Sequence, residues 1–192
     1  MPPALLSAVC GLLMLGGEPL ANLLRYDRAA IAAGQWWRLL SGSLVHLGWW
    51  HWLFNVLSLV LLVLLCPERL TPLEWLRRLV VLSLGMSLAL YFLSPGIQSY
   101  VGLSGPVYGL FALGLGRQAL RRDEIAIVCL VFLAARIGWE LVMGASASET
   151  RLIGGKVVAI SHVYGVCSAL LYALAAYAWR RAGKTKEEVD AA

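Results

Sequence analysis

The chain has 192 residues, 60% of them hydrophobic and only 14% charged, with a formal net charge of +5. A soluble domain of this size has no use for so much apolar surface, and the excess positive charge lacks the clustered basic face of a nucleic-acid binder. A soluble enzyme and a nucleic-acid-binding module are both excluded, leaving a single integral membrane domain over residues 1–192.

A hydrocarbon core about 30 Å thick needs roughly 20 apolar residues per helix. Six runs approach that length, at about 4–24, 46–66, 73–93, 103–119, 124–143 and 157–179. None alternates as a barrel strand does, and backbone groups in lipid must be satisfied within their own segment, so all six predict helices. The first run lacks a basic leader and a small-residue cleavage site, which makes it a retained helix. The second carries His46, His51 and Asn55, the last two at i, i+4 on one face. The third is almost wholly apolar beyond its basic start. The fourth opens on Gly102-Leu103-Ser104-Gly105, with Pro106 suited to a first helical turn and Gly105 and Gly109 forming a small-residue pair for close helix contact. The fifth holds Arg136 and Glu140, spaced as a self-neutralising pair. The sixth holds His162 near its start, with Gly165 one turn further on the same face. Residues 180–192 form a charged tail expected to fray. Cys10, Cys66, Cys129 and Cys167 show no paired spacing and are expected to be free thiols.

Lys and Arg in the connections set the orientation. With the N-terminus inside, Arg69, Arg77, Arg78, Arg117, Arg121, Arg122, Arg180, Arg181, Lys184 and Lys186 fall on the cytoplasmic side. Arg25, Arg28, Arg38, Arg151 and Lys156 fall outside. Ten against five places both termini in the cytoplasm.

Ser104 begins a helix, where unpaired backbone N–H groups favour developing negative charge. On its own this serine reads as a helix-packing residue. His162, 58 residues later and near the outer end of its helix, changes that reading. Ionisable groups at membrane depth are functional by default, and a serine paired with a histidine is the minimal activated nucleophile. Peptide hydrolysis within the bilayer follows. His51 and Asn55 offer donors for an oxyanion, together with the Ser104 amide, while His46 reads as structural polar glue. No Cys or carboxylate completes a metal set with the histidines, so neither metal nor cofactor is expected. No carboxylate has the spacing of a third triad member, which favours a Ser–His dyad. The pair Arg136 and Glu140 is then a helix lock or, as a second possibility, a contact for the substrate.

Gln35-Trp-Trp-Arg38, His46 with His51-x-x-x-Asn55, Gly102-x-Ser104-Gly105 with Tyr108, and His162-x-x-Gly165 occur in that order. This pattern resembles the rhomboid intramembrane serine proteases over nearly the whole chain. The resemblance implies an all-α, compact bundle of six transmembrane helices, with Ser104 as nucleophile and His162 as general base. It implies an oxyanion hole of His51, Asn55 and the Ser104 amide, Tyr108 packed on the histidine ring, and Trp37 and Arg38 anchoring the first loop at the membrane interface. A narrower set is similar to rhombosortase: Leu24-Arg-Tyr-Asp27, Gly34-Gln-Trp-Trp-Arg38, Leu93-Ser-Pro95, Tyr100-Val-Gly-Leu-Ser-Gly105 and Ile153-Gly-Gly-Lys-Val157. A short first outer loop and Pro106 depart mildly from it.

That narrower resemblance implies a bacterial inner-membrane protease whose site opens toward the periplasm. Its substrates would be membrane-anchored exported proteins with a C-terminal GlyGly-CTERM signal: a Gly-rich segment, an apolar helix and a basic end. Two alternatives stand beside it. A general rhomboid protease for other single-span substrates uses the same chemistry, and a non-catalytic membrane chaperone or transporter uses none of it. Both reactive residues are present, and the repeats and paired half-helices of a transporter are not visible.

Overall fold

The computed structural model describes residues 2–190, with side chains through Gly183. The described residues are mostly helical. In chain order they form α1 (Pro2–Leu15), α2 (Gly17–Leu24), β1 (Tyr26–Asp27), α3 (Arg28–Ala32), α4 (Arg38–Ser41), α5 (Trp49–Leu65) and α6 (Pro72–Leu93). Then follow β2 (Ser99–Tyr100), α7 (Ser104–Ala119), α8 (Glu124–Met143), α9 (Ala147–Ile153) and α10 (Ala159–Asp190).

Helix starts follow local chemistry. Pro72 opens α6 behind a capping box in which Thr71 and Glu74 satisfy each other's backbone N–H groups. The Asp123 side chain accepts from the Ala126 amide to start α8. At the far end of α6, Arg28 Nη2 donates to the carbonyls of Leu90, Tyr91 and Ser94 at 2.8–3.0 Å. A guanidinium there satisfies the acceptors that every helix C-terminus leaves open.

Four sequence expectations change. The run 4–24 is not one helix but α1 and α2, bent by 119° at Gly16-Gly17. Gly17 sits at φ +62, a left-handed conformation that ends α1 without the steric cost a Cβ would impose. Among the described residues only α6, α8 and α10 are long and apolar enough to cross a membrane, with α1 and α2 a fourth span if the bent pair counts as one. The other two expected spans are short: α5 has 17 residues and α7 has 16, about 24–26 Å at 1.5 Å per residue. The chain is not purely helical either, because Tyr26–Asp27 pairs antiparallel with Ser99–Tyr100. Finally, the tail expected to fray from residue 180 continues α10 as far as Asp190; residues 191 and 192 lie outside the described residues.

α7 is the central element, touching α5, α6, α8 and α10. Leu103, Val107, Leu110 and Leu113 pack there with Leu59 and Leu62 of α5, Leu82 of α6 and Ala169 of α10. A second cluster of Tyr26, Ile31, Leu39, Met86, Leu90 and Tyr100 lies under the strand pair. The helix exteriors are apolar instead of polar: Ile125, Val128, Phe132 and Val142 of α8 are all exposed. Such a surface faces lipid, and the chain is a multi-pass membrane protein. All four cysteines are free.

α7 and α10 cross with their backbones in close contact. A Cβ built on Gly165 would collide with the Gly105 carbonyl, and one on Gly109 would come within 2.5 Å of the Gly165 carbonyl. Gly165→Ala must therefore push the two helices apart, at a cost of about 1–3 kcal/mol. Thermal unfolding in detergent checks this: a clear drop in Tm is expected, and an unchanged Tm would mean the two backbones are not in contact.

Candidate active site

Three constraints place Ser104. The β1–β2 pair fixes Tyr100; the Gly102 amide donates to the Gly42 carbonyl at 3.0 Å, and the Tyr100 hydroxyl donates to the Gly102 carbonyl at 2.6 Å. Gly102 has φ +120, and a Cβ there would lie 2.6 Å from Cε1 and 2.8 Å from Nε2 of His51. Conformation and imidazole both require glycine at this position. Ser104 is then the first residue of α7, whose opening N–H groups have no intrahelical acceptors.

The glycine contact between α7 and α10 sets the distance to His162. Its Nε2 lies 2.9 Å from Ser104 Oγ, within hydrogen-bond reach. The Tyr108 ring stacks on the imidazole, with centroids 4.1 Å apart and planes 4° from parallel. That stacking leaves the ring free to rotate only in its own plane, which its hydrogen bonds then fix.

The other ring nitrogen meets a carboxylate. His162 Nδ1 is 2.6 Å from Glu140 Oε2, and Glu140 is only 3% exposed. Its second oxygen, Oε1, is 2.8 Å from Arg136 Nη2, which also reaches Glu149 Oε1 of α9 at 2.9 Å. The expected Arg136–Glu140 pair is thus present, but it does not neutralise itself in isolation. The spacing argument that set every carboxylate apart from His162 is corrected here. His162 and Glu140 are 22 residues apart on different helices, so sequence separation carries no information about their contact. A signal was nevertheless available. Glu140 lies three residues before the end of α8 and His162 three after the start of α10 (143 − 140 and 162 − 159), at matching depth on successive spans.

His51 and Asn55 are buried on the α5 face that looks onto this group. The Leu47 amide donates to His51 Nδ1 at 3.3 Å, so the neutral ring carries its proton on Nε2, the atom beside Gly102. Asn55 Nδ2 donates one hydrogen to the His51 carbonyl at 2.8 Å and keeps the other. Ser104, His162, His51, Asn55, Tyr108, Arg136 and Glu140 all line one cavity of about 770 Å³, with Arg25 and Lys156 also on its wall.

The remaining sequence candidates lie elsewhere. His46, in the turn before α5, meets the His51 ring edge-on at 5.0 Å and lines no part of the cavity. Burial, and then the facing His51, push its imidazole down to about 3, so it packs as a neutral ring. Arg38 donates to Gln35 Oε1 and to the carbonyls of Asn22 and Arg25, while Trp37 Nε1 donates to the Leu23 carbonyl. These two residues tie α4 to the end of α2 and so shape the first loop. Among the described residues no His/Cys/Asp/Glu group has the arrangement of a metal site.

The chain matches the Rhomboid domain family over residues 33–179, a range that holds every residue of the cavity group except Arg25. It belongs to the rhomboid family. The protein is accordingly an intramembrane serine protease, a hydrolase of peptide bonds. Among curated proteins it is similar to YdcA of Bacillus subtilis (strain 168), provisionally named a rhomboid protease. The two are 27% identical over 143 residues, covering 73% of this chain and 67% of the relative. Within this rhomboid, Glu140 and Glu149 are the cavity's two carboxylates, and motif spacing connected neither to the serine.

Proposed function

We propose that Ser104 is the nucleophile and His162 the general base of this protease, acting on the GlyGly-CTERM region of exported proteins. The reading rests on the 2.9 Å between His162 Nε2 and Ser104 Oγ inside a cavity. The Ser104 hydroxyl gives its proton to Nε2 as Oγ bonds to the scissile carbonyl carbon, and the carbonyl π pair moves onto oxygen. His51 Nε2–H, the free Asn55 N–H and the Ser104 amide are the donors for that oxyanion. Nε2–H then protonates the leaving amine as the C–N bond breaks, and water repeats the sequence on the acyl-enzyme.

The oxyanion role carries its own prediction. Asn55→Ala should slow turnover by about 10²–10³ without abolishing it, because two donors remain. A steady-state kcat equal to wild type would reassign Asn55 to helix packing.

The substrate class follows from the narrower resemblance and from physics. A basic cytoplasmic end orients the signal helix, and glycines at its outer boundary disfavour helix, leaving the scissile bond extended. We place the protein in a bacterial inner membrane with six crossings, α5 and α7 included, both termini cytoplasmic and the cavity open to the periplasm. Mass spectrometry of a GlyGly-CTERM protein from cells with and without this protease tests the specificity. A C-terminus trimmed near the glycines only when the protease is present is expected. The same trimming without it, or cleavage confined to unrelated single-span proteins, would replace this reading with that of a general rhomboid protease.

A further inference from the structure

The Glu140 carboxylate occupies a position that a two-residue mechanism leaves unexplained. α8 has a lipid-facing exterior and buries only Ala126 and Glu140. A buried carboxylate costs several kcal/mol of desolvation unless it is fully partnered. Glu140 is partnered on both oxygens, by His162 Nδ1 at 2.6 Å and Arg136 Nη2 at 2.8 Å. A self-neutralising pair would be complete with Arg136 alone, one turn away on the same helix. Instead the carboxylate reaches across to the one ring whose second nitrogen touches Ser104.

We infer that Glu140 is the positioning residue of a Ser104–His162–Glu140 triad, with Arg136 on its second oxygen and Glu149 of α9 fixing that arginine in place. The inference rests on the nucleophile and base assigned above. An ionised carboxylate accepts hydrogen bonds only, so its contact with Nδ1 makes Nδ1 the protonated nitrogen. Nε2 is left with the lone pair that takes the serine proton. Once Nε2 is protonated, the imidazolium charge lies beside Glu140, which stays ionised throughout. Stacking by Tyr108 fixes the plane of the ring, and Glu140 fixes its rotation within that plane. The charged or titratable groups that share the cavity with the ring include Glu140 and Arg136 of α8, Tyr108 of α7, Glu149 of α9 and His51 of α5, with Arg25 and Lys156 as further cations. Glu140 and Glu149 are the anions of that group, and Glu140 alone touches the ring.

Glu140→Gln tests this in the full-length protein in detergent, read by Ser104 labelling with a small fluorophosphonate, by kcat and KM, and by Tm. The probe needs no peptide binding, so a residue acting only on substrate docking would not alter it. Labelling and kcat are expected to fall together by about 10²-fold or more, as when the acceptor behind a catalytic histidine loses its charge, with KM within about threefold. Glu140→Asp should recover part of both. Wild-type labelling by a folded Gln variant overturns the inference while leaving the dyad intact. Failure of the wild-type protein to label at Ser104 overturns the nucleophile assignment and the triad together. If the Gln variant does not fold, ¹⁵N NMR of histidine-labelled wild type decides. A proton on Nδ1 of His162 supports the triad, and a resting proton on Nε2 overturns it.

Discussion

Ser104→Ala is expected to insert and fold normally while peptide cleavage falls by about 10⁴–10⁶ or more, to the level that binding and the oxyanion donors alone sustain. The substitution deletes one oxygen and leaves the α7–α10 crossing untouched, because that crossing is made by Gly105, Gly109 and Gly165. The lost hydrogen bond faces the cavity, so water can replace it at Nε2, and the stability change should stay within about 1 kcal/mol. Purified protein in detergent should therefore melt at the wild-type temperature and show no turnover of a quenched transmembrane peptide. Retained cleavage by the alanine variant would remove the serine mechanism altogether. A large loss of Tm would instead make Ser104 a structural residue of the helix start.

How much of this site could be read in the sequence depended on whether the information was local. Ser104 at a helix start, His51 and Asn55 one turn apart, and Gly165 one turn after His162 are all local patterns, and all fall on the cavity or the helix crossing behind it. The helix core ranges were legible for the same reason: α6 and α8 lie within one residue of the expected runs. What escaped was non-local or depended on a single backbone angle. The bend at Gly16-Gly17 interrupts a run whose hydropathy continues through it. The Tyr26–Tyr100 pairing joins segments too short to show any alternation. The contact of Glu140 with His162 was hidden because Arg136, at i − 4, offers a complete local explanation for the carboxylate. A satisfied local pair is the reading that sequence spacing always prefers, and here the carboxylate's second oxygen made the longer connection.

His162→Ala should be as inactive as the serine variant, yet it should differ in stability, and that difference separates the two roles. Without a base the Ser104 hydroxyl is a weak nucleophile, so fluorophosphonate labelling should fall by about 10³-fold or more alongside cleavage. Removing the ring also strips Glu140 Oε2 of its partner at 2.6 Å, in a site where the carboxylate is 3% exposed, and empties the slot beneath Tyr108. Leaving a buried charged acceptor without its hydrogen-bond donor costs about 1–3 kcal/mol or more. Arg136 remains on the other oxygen and offsets part of that loss. A Tm clearly below that of Ser104→Ala is therefore expected. His162→Gln supplies the control, because its amide can donate to Glu140 but cannot take up a proton. It should recover much of the lost Tm and none of the labelling. If His162→Gln labels at the wild-type rate, another group activates Ser104 and the 2.9 Å contact is not the catalytic one. If His162→Ala melts with wild type, Glu140 does not depend on the imidazole for its partner, and the histidine acts on the serine alone.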